Sequence, residues 1–304
     1  MRLSNSDPAM KIIRLFICLS AAGSFHAGAF DQVEITQIFK DVKTLERAGA
    51  RPAALNETIR GEQSVKTGLQ SRAELMFTDR SLTRLGANTI FSFQQGTREL
   101  ELRQGTILFQ VPKGAGGANI RTAAVTAAIT GTTGFNEYSP KAGPNGIIKF
   151  GILEGGATLF INRRRDRFIH VGPGEMVVLP ARPADFNSAE VFHFDIARFL
   201  QTAPLITKMG GLPKGATALV MRAAEAQVRK LASGQEPYRT NVMLPGTGLS
   251  ASRVIDQRLA AGNPLRPMTT RSVSANVPAK IFILPPTTTT PSPPAGKPKD
   301  PNKP

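Results

Sequence analysis

The chain has only one cysteine and three histidines, and this shortage excludes several kinds of site. Cys18 lies in an early segment that we expect to be removed, so the mature chain is predicted to have no disulfide, thiolate metal site or cysteine nucleophile. His26 belongs to the same segment, and neither His170 nor His193 has a carboxylate or cysteine at ligand spacing. We therefore predict that the protein binds no metal and no cofactor.

Sequence motifs that carry catalysis are missing as well. The chain has no Gly-x-Ser-x-Gly elbow and no nucleotide-binding fingerprint. The glycine-rich stretch Gly114–Gly117 lacks the Lys-Ser/Thr of a phosphate-binding loop, and we interpret it as a hairpin loop. Glu99 and Glu101 share one strand face, but basic residues beside them explain them as ordinary charge pairs. We predict that the protein is not an enzyme. The catalytic alternative, a polysaccharide-acting β protein, would need a carboxylate pair that we do not find.

The first residues predict an export signal. Two basic residues precede an apolar run from Leu15 to Ala22, and Ala27-Gly28-Ala29 is a small-x-small cleavage site. We predict cleavage after Ala29 and a periplasmic mature protein, with either Met1 or Met10 as the start. The apolar run is too short for an ordinary membrane span, and an uncleaved N-terminal anchor is the alternative.

Basic residues outnumber acidic ones by 38 to 22, which gives a formal net charge of +16. Removal of residues 1–29 takes away three basic residues and one acidic residue and leaves 35 against 21, or +14. Such a charge favours anionic partners, which in a periplasm are lipid headgroups, peptidoglycan-linked acids or acidic protein faces. Nucleic acid is excluded by the predicted compartment. The alternative is that the charge serves solubility, together with a basic tail.

Short alternating runs of apolar and polar residues dominate the chain from Val65 to Tyr138. Ala73, Leu75 and Phe77 fall on one face of such a run, as in a strand with one face buried. Gly, Asn, Asp and Ser separate the runs at spacings of roughly ten residues, which is typical of an all-β domain and not of βαβ units.

These runs also resemble a known family. The segments VKTGLQSRAELMFTDRSLTRLGANT, LRQGTILFQVPK and ITGTTGF, with ILEGGATLF and IHVGPGEMVVL further on, resemble the FecR domain family over residues 59–180. That family is named after the periplasmic part of the ferric-citrate sensor, which relays transport status to a sigma factor. The resemblance implies a protein-binding, signalling or scaffold module with an envelope protein as partner. The implied fold is all-β, and both a jelly-roll-like sandwich and a short β-solenoid fit strands of this length.

The residues that carry the resemblance are predicted to determine turns and core contacts, and none is a proposed catalyst. Gly68 is expected to need a positive φ. Arg80 follows Asp79 where the resembled family has a glycine, which argues against a two-residue turn with positive φ at both positions. The structural residues predicted from the motif are Thr67, Gly68, Ser71, Arg72, Asp79, Asn88, Gly131 and Thr132.

A run of arginines is the candidate recognition site. Arg163, Arg164, Arg165 and Arg167 stand between two predicted strands, so we place them at a hairpin tip in solvent. Arginine binds phosphate and carboxylate groups bidentately, so an anionic glycan or lipid surface is a possible partner. This supports a second function, a basic protein that binds the cell wall or the outer-membrane surface. The alternative is a solvated turn.

The composition divides the chain into five parts. They are a signal peptide (1–29), a lead-in strand and loop (30–58), the FecR-like β domain (59–185), a helical segment (186–235) and a disordered basic tail rich in Pro and Thr (236–304). Ser188 is a candidate N-cap for a first helix, and a second helix is predicted from Lys214 to Ala232. The helices are expected to cover the β domain or to dock a partner. The tail has nine basic and three acidic residues and is interpreted as a spacer, with Val277–Leu284 as a segment that can add to a partner as a strand.

Overall fold

The computed structural model describes residues 29–141, 146–162, 164–183, 186 and 189–233. Within these ranges the chain forms seventeen strands and three helices. The strands are β1 (Gln32–Phe39), β2 (Val42–Glu46), β3 (Gly49–Pro52), β4 (Thr58–Arg60), β5 (Ser64–Thr67), β6 (Arg72–Phe77), β7 (Leu82–Leu85), β8 (Ile90–Phe93), β9 (Glu99–Gln110), β10 (Ala118–Arg121), β11 (Val125–Ile129), β12 (Thr133–Ser139), β13 (Ile147–Glu154), β14 (Ala157–Ile161), β15 (Arg164–Val171), β16 (Glu175–Pro180) and β17 (Glu190–His193). The helices are α1 (Ile196–Thr202), α2 (Pro204–Thr207) and α3 (Thr217–Ala232).

The strands pair into two layers that share β9. The first sheet has the order β4-β1-β6-β7-β9-β12-β13-β16-β17. The second sheet has the order β3-β2-β5-β8-β9-β10-β11-β14-β15. From β6 onward the chain alternates between hairpins of one sheet and hairpins of the other, and each is added beside its predecessor. The all-β prediction is confirmed: the layers pack as in a sandwich, and the hairpins repeat as in a solenoid.

Strand β9 is long because it belongs to both sheets. Its first half pairs with β8 and β10, and its second half, from Gly105 onward, pairs with β7 and β12. Gly105 has a φ of 93°, and a Cβ there would lie 2.3 Å from Oγ1 of Thr89. Only glycine combines this backbone conformation with so close an approach, so Gly105 is the point at which the strand changes sheets.

The main core lies between the two sheets. Alternate residues of each strand point into it, as the period-2 pattern predicts. The ring of Phe77 from the first sheet meets the ring of Phe93 from the second edge on, with centroids 5.6 Å apart. Leu75, Leu102 and Phe109 are fully buried in the same cluster. The apolar faces predicted from the sequence are therefore the faces that hold the layers together.

The helices cover the other face of the first sheet. Phe135 of β12 stacks on Phe199 of α1 at 4.8 Å and meets Phe194 edge on at 5.6 Å. Gly151 lies opposite Phe135 in the register, and a Cβ at Gly151 would be 2.3 Å from the Phe135 ring. In α3, Val220, Ala224 and Gln227 are the buried residues. Since both faces of the sheet are covered here, β13 is buried at all eight positions.

The prediction of a helix from Ser188 is wrong where the structure tests it. Ser188 itself lies outside the described residues, but Glu190–His193 form strand β17, and α1 begins only after Asp195, whose side chain accepts from the backbone N–H of Arg198. Neighbouring residues of β17 face the two cores in turn, so consecutive apolar residues imitate a helical stripe. The second predicted helix is confirmed as α3.

Two further expectations need correction. The predicted loop within residues 30–58 contains strand β3, which pairs with β2, whereas the lead-in strand β1 pairs with the later strands β4 and β6. The glycine-rich loop Gly114–Gly117 is not a hairpin loop, because it joins β9 to β10, and these two strands pair in parallel. The predicted signal peptide, apart from Ala29, and the predicted tail from residue 236 onward lie outside the described residues.

A buried ion pair fastens the helical layer to the first sheet. Nε of Arg84 lies 2.7 Å from Oε2 of Glu74, and their side chains are 4% and 8% exposed. Arg84 also donates to the carbonyl oxygens of Leu205, at 2.9 Å, and of Gly211. Thr36 donates to the Glu74 carboxylate at 2.9 Å. Strands β6 and β7 are thereby tied to the α2 region through one guanidinium.

We expect Arg84→Met to destabilise the protein strongly. The change keeps most of the side-chain volume but leaves the Glu74 carboxylate buried without its cation, which costs about 3–5 kcal/mol of unfolding free energy. Urea unfolding measures the loss. The control is the double variant Arg84→Met with Glu74→Gln, which removes both charges and should recover part of that loss. An Arg84→Met protein as stable as the wild type would show that the pair does not hold the helical layer.

Candidate functional site

Thr67 lies at a crossing between the two sheets. Its side chain is fully buried, and its hydroxyl donates to the carbonyl oxygen of Gly86 at 2.5 Å and accepts from the backbone N–H of Thr89 at 2.9 Å. Oγ1 of Thr89 in turn accepts from the backbone N–H of Thr106 in β9 at 3.0 Å. The hydroxyls therefore pair backbone groups at the point where β9 leaves the second sheet.

Gly68 does not have the positive φ predicted for it. That conformation falls on Gln70, with a φ of 53°. Gly68 is needed for another reason, because a Cβ there would lie 2.6 Å from the Asp41 carboxylate. Ser71 occupies the same turn, and its Oγ accepts from the backbone N–H of Asp41 at 3.1 Å. Gly68 and Ser71 thus join the turn before β6 to the start of β2.

Asp79 and Arg80 form the turn between β6 and β7. Oδ1 of Asp79 accepts from the backbone N–H of Ser81 at 2.8 Å, and Oδ2 accepts from Arg98 at 2.6 Å. The Arg98 guanidinium also lies 4.3 Å from the ring centre of Phe30. Arg80 has a φ of 66°, so one position of this turn is left-handed even though it is not glycine.

The remaining motif residues lie at other turns and edges. Asn88 has a φ of 53°, and its backbone N–H donates to the carbonyl oxygen of Gly68 at 3.0 Å. Arg72 lies over the ring of Phe39 at 5.0 Å. The fully buried Thr132 donates to the carbonyl oxygen of Gly156 at 2.8 Å. The φ of the adjacent Gly131 is 58°, and a Cβ there would lie 2.6 Å from the Lys113 side chain. These contacts lie at separate turns and favour the predicted structural role.

Three of the four predicted arginines lie on a strand and not at a hairpin tip. Arg163 is outside the described residues, but Arg164, Arg165 and Arg167 belong to β15 and are exposed. The register passes from the pair Phe160–Phe168 to the pair Ile161–Arg164, so the residues from Arg165 to Arg167 bulge out of the ladder. The tip is shorter than predicted because Ile161 already pairs with Arg164.

Strand β15 is the last strand of the second sheet, and its charges differ from those at the other end. On β3, Arg51 lies 2.8 Å from Glu46 and 2.6 Å from Glu57. In the described part of the chain, Arg164, Arg165 and Arg167 form no ion pair. One end of the sheet therefore has its arginine neutralised, and the other presents cationic groups to solvent.

The pKa of Glu57 reflects its contacts. Burial opposes ionisation and would raise this pKa, but hydrogen bonds from Arg51, from the Ala54 backbone N–H at 2.8 Å and from Thr44 at 3.0 Å outweigh burial and lower it. The hydrogen bond from Arg51 to Glu57, followed by the one to Glu46, raises the pKa of Arg51. The Arg51 guanidinium is thus paired with the carboxylates of Glu46 and Glu57.

Beside the arginines, the outer face of the second sheet carries a small aromatic cluster. The ring of Phe168 lies 6.0 Å from that of Phe160 and 5.0 Å from that of His170. His170 shares a hydrogen bond of 2.9 Å with Thr158. The aromatic half of β15 is therefore held in place by β14, while the arginine half is not.

A shallow depression of about 280 Å³ lies on the same sheet, and the charged residues that line it are paired. Arg103 lies 3.3 Å from Glu101, and Arg121 lies 3.4 Å from Glu99. Among the described residues no group of His, Asp or Glu is arranged to hold a metal ion. Likewise, the helices that the structure describes include none with the length and hydrophobicity of a membrane span.

Comparison with known proteins identifies the β region. Residues 63–157, which run from the turn before β5 to the start of β14, match the family model described as FecR protein. The chain carries a FecR domain. The match includes all eight motif residues and ends before the arginines of β15.

Solved structures and curated proteins add little to this FecR match. Two crystal structures described as a candidate anti-sigma factor from Parabacteroides distasonis ATCC 8503, at 2.50 and 1.65 Å, are each 11% identical to this chain with a TM-score of 0.36. The first alignment covers 46% of this chain and 64% of that one, and the second covers 66% and 92%. No curated protein matches the chain significantly.

We expect Thr67→Val to destabilise the FecR domain. Valine has the shape of threonine but leaves the Gly86 carbonyl and the Thr89 N–H without this partner, at a cost of about 1–3 kcal/mol. Thermal and urea unfolding measure the difference. Thr67→Ser keeps the hydroxyl and is the matched control, which should lose less. Equal stability of the two variants would mean that the hydroxyl does not support the crossing.

We expect Glu57→Gln to change how stability depends on pH. Because the folded pKa of Glu57 is lowered, its contribution is complete above the unfolded pKa and is lost as the pH falls through the folded pKa. The stability gap between wild type and variant should therefore be full at neutral pH and shrink below about pH 4. Urea unfolding across this range measures the gap. Glu62→Gln is the control, since its pair with Arg47 is 75% and 87% exposed and should contribute little. A gap that persists at low pH would contradict this assignment.

Proposed function

We propose that the protein is a non-enzymatic periplasmic module that acts in signalling or as a scaffold by binding another protein of the cell envelope. The observation that carries this proposal is the FecR domain at residues 63–157, because the match supports a signalling, regulatory module. The described contacts of the motif residues add to it, because they join turns and sheets and do not converge on one cleft. The proposed location depends on export by residues 1–29 and cleavage after Ala29.

The proposed contact surface is the arginine half of β15. Arg164, Arg165 and Arg167 are exposed on the last strand of a sheet and have no carboxylate partner in the residues that the structure describes. Arginines in this state can bind carboxylates of a partner without first breaking an internal ion pair. The net charge of the chain would also attract an acidic partner over a distance.

The same arginines support a second candidate function, a basic protein that binds an anionic glycan or lipid surface of the envelope. Such binding needs only exposed positive charge, and it weakens with ionic strength because exposed charges are screened. A specific protein interface retains apolar and hydrogen-bonded contacts in high salt. Salt sensitivity therefore separates the two functions.

We expect in-cell crosslinking of the full chain, followed by mass spectrometry, to capture a discrete envelope protein that remains bound in high salt. Changing Arg163, Arg164, Arg165 and Arg167 together to Ser should strongly reduce this adduct, because the partner loses the bidentate hydrogen bonds of the arginines. The matched control changes four other exposed basic residues to Ser, namely Lys66, Lys208, Lys214 and Arg222, and should retain the adduct.

Other outcomes contradict the proposal in distinct ways. If only salt-labile lipid or glycan adducts appear and the β15 variant loses them, the protein is a surface binder. If the control variant loses the adduct as fully as the β15 variant does, net charge is responsible and not the β15 surface.

A further inference from the structure

The described ends of the two sheets differ in length. The first sheet ends in β4, with three residues, and in β17, with four. The second sheet ends in β3, with four residues including Pro52, and in β15, with eight. An end strand presents unpaired backbone N–H and C=O groups, and proteins usually keep such strands short or interrupt them with proline. Strand β15 departs from this pattern in its length.

One edge of β15 is open in the residues that the structure describes. Its backbone pairs with β14 at residues 168–171 and again at Arg164, while the residues from Arg165 to Arg167 bulge out of the ladder. In an antiparallel strand the N–H and C=O groups of alternate residues point away from the neighbour. No described residue outside β14 accepts from or donates to the backbone of residues 164–170. The outer edge therefore has hydrogen-bonding capacity for a further strand.

We propose that the outer edge of β15 binds an acidic, extended segment of a partner protein as an additional strand of the second sheet. The proposal rests on the proposed function and specifies how its partner would bind. Main-chain hydrogen bonds supply affinity in this mode, and side chains at alternate positions supply specificity. On β15 the specificity would come from two different halves, one cationic and one aromatic.

The cationic half of β15 favours acidic residues in the bound segment. Arg164, Arg165 and Arg167 with Asp166 give a net charge of +2 over four residues. Carboxylates of a segment paired along this half would lie near the arginines and form favourable charge pairs with them. In the aromatic half, Phe168 and Ile169 are partly buried, and the Phe168 ring packs on Phe160 and His170, so an apolar or β-branched residue suits this half. An antiparallel segment would therefore be apolar in its first half and acidic in its second.

The same charges argue against two other occupants. A second copy of the chain that paired β15 with β15 in parallel would bring arginine opposite arginine, which is unfavourable, and in an antiparallel pair the arginines would meet the aromatic half, which has no carboxylate. The chain's own segment Val277–Leu284 includes Lys280 and no acidic residue, so it lacks charge complementarity with β15. An acidic segment of another protein satisfies both the open backbone and the exposed guanidinium groups.

The test uses the full chain and a synthetic peptide, Ac-TVTVEEEE-NH2, which matches β15 in length. We expect binding by fluorescence anisotropy, with slower hydrogen exchange confined to the amides of residues 164–171. A peptide with N-methyl groups on alternate residues, placed to remove the donors that face β15, should bind at least about tenfold more weakly. The reversed peptide Ac-EEEEVTVT-NH2 should also bind more weakly, because its acidic half then meets the aromatic half of β15.

Charge exchange supplies the matched protein variants. The triple variant with Arg164→Glu, Arg165→Glu and Arg167→Glu should no longer bind the acidic peptide. It should instead bind the basic peptide Ac-TVTVKKKK-NH2. The same three changes at Lys66, Lys208 and Arg222 should alter neither. This exchange also distinguishes a changed specificity from misfolding, since an unfolded variant would not bind the basic peptide.

Three outcomes overturn strand addition. They are no binding of either peptide orientation, equal binding of the N-methylated peptide, and protection spread over the protein surface. The last two results would identify an ionic surface for polyanions. If cell crosslinking captures a partner while the N-methylated peptide binds normally, the proposed function stands and strand addition fails. If the peptide adds to β15 but no envelope protein is captured, the reverse holds.

Discussion

The two-layer structure depends on how the chain crosses from one sheet to the other. At a crossing, backbone groups leave one ladder before they enter the next, and a buried group without a partner costs about 1–3 kcal/mol. Threonine hydroxyls, which can both donate and accept a hydrogen bond, supply partners for these backbone groups. Thr67 bonds to Gly86 and Thr89, and Thr132 bonds to Gly156. Glycine is needed beside them because the backbones approach closely, as at Gly105. The Thr-Gly and Gly-Thr pairs of the motif are therefore parts of one physical device.

The helical layer follows from the same architecture. The hairpins leave the first sheet with an apolar second face around Phe135, and this face must be covered. The cover also makes buried charge possible, since Lys149 pairs with Glu137 at 3.2 Å with side chains 1% and 6% exposed. Such pairs gain little net stability but are costly to break, and this one joins β12 to β13. Among the described residues, the sheet face that the helices leave uncovered then belongs to the second sheet.

Much of the fold could be predicted from the alternation of residues in strands, because one buried face imposes period 2. The prediction failed where that condition fails. At β17, Val191 and Phe192 pack against different cores, so consecutive apolar residues predict a helix where a strand lies. Gly68 was assigned to a left-handed turn, whereas its contact with Asp41 depends on a residue 27 positions earlier. The Glu74–Arg84 pair was missed for a related reason. Each of the two residues alternates with apolar neighbours in the sequence, which suggests exposure to solvent unless the covering helices are known. The arginines were recognised, but only the register shows that they lie on an end strand.

Arginines on an end strand have two physical interpretations, and these are not exclusive. Positive charge keeps identical chains from pairing edge to edge, which is a common protection against aggregation. The same positive charge that repels a positively charged strand attracts an acidic one. At β3 the arginine is neutralised by Glu46 and Glu57, so short length and Pro52 must protect that edge instead. At β15 neither device is present, and the positive charge together with the bulge at Arg165–Arg167 decides which strands can approach. Protection and partner selection are therefore one property of this strand.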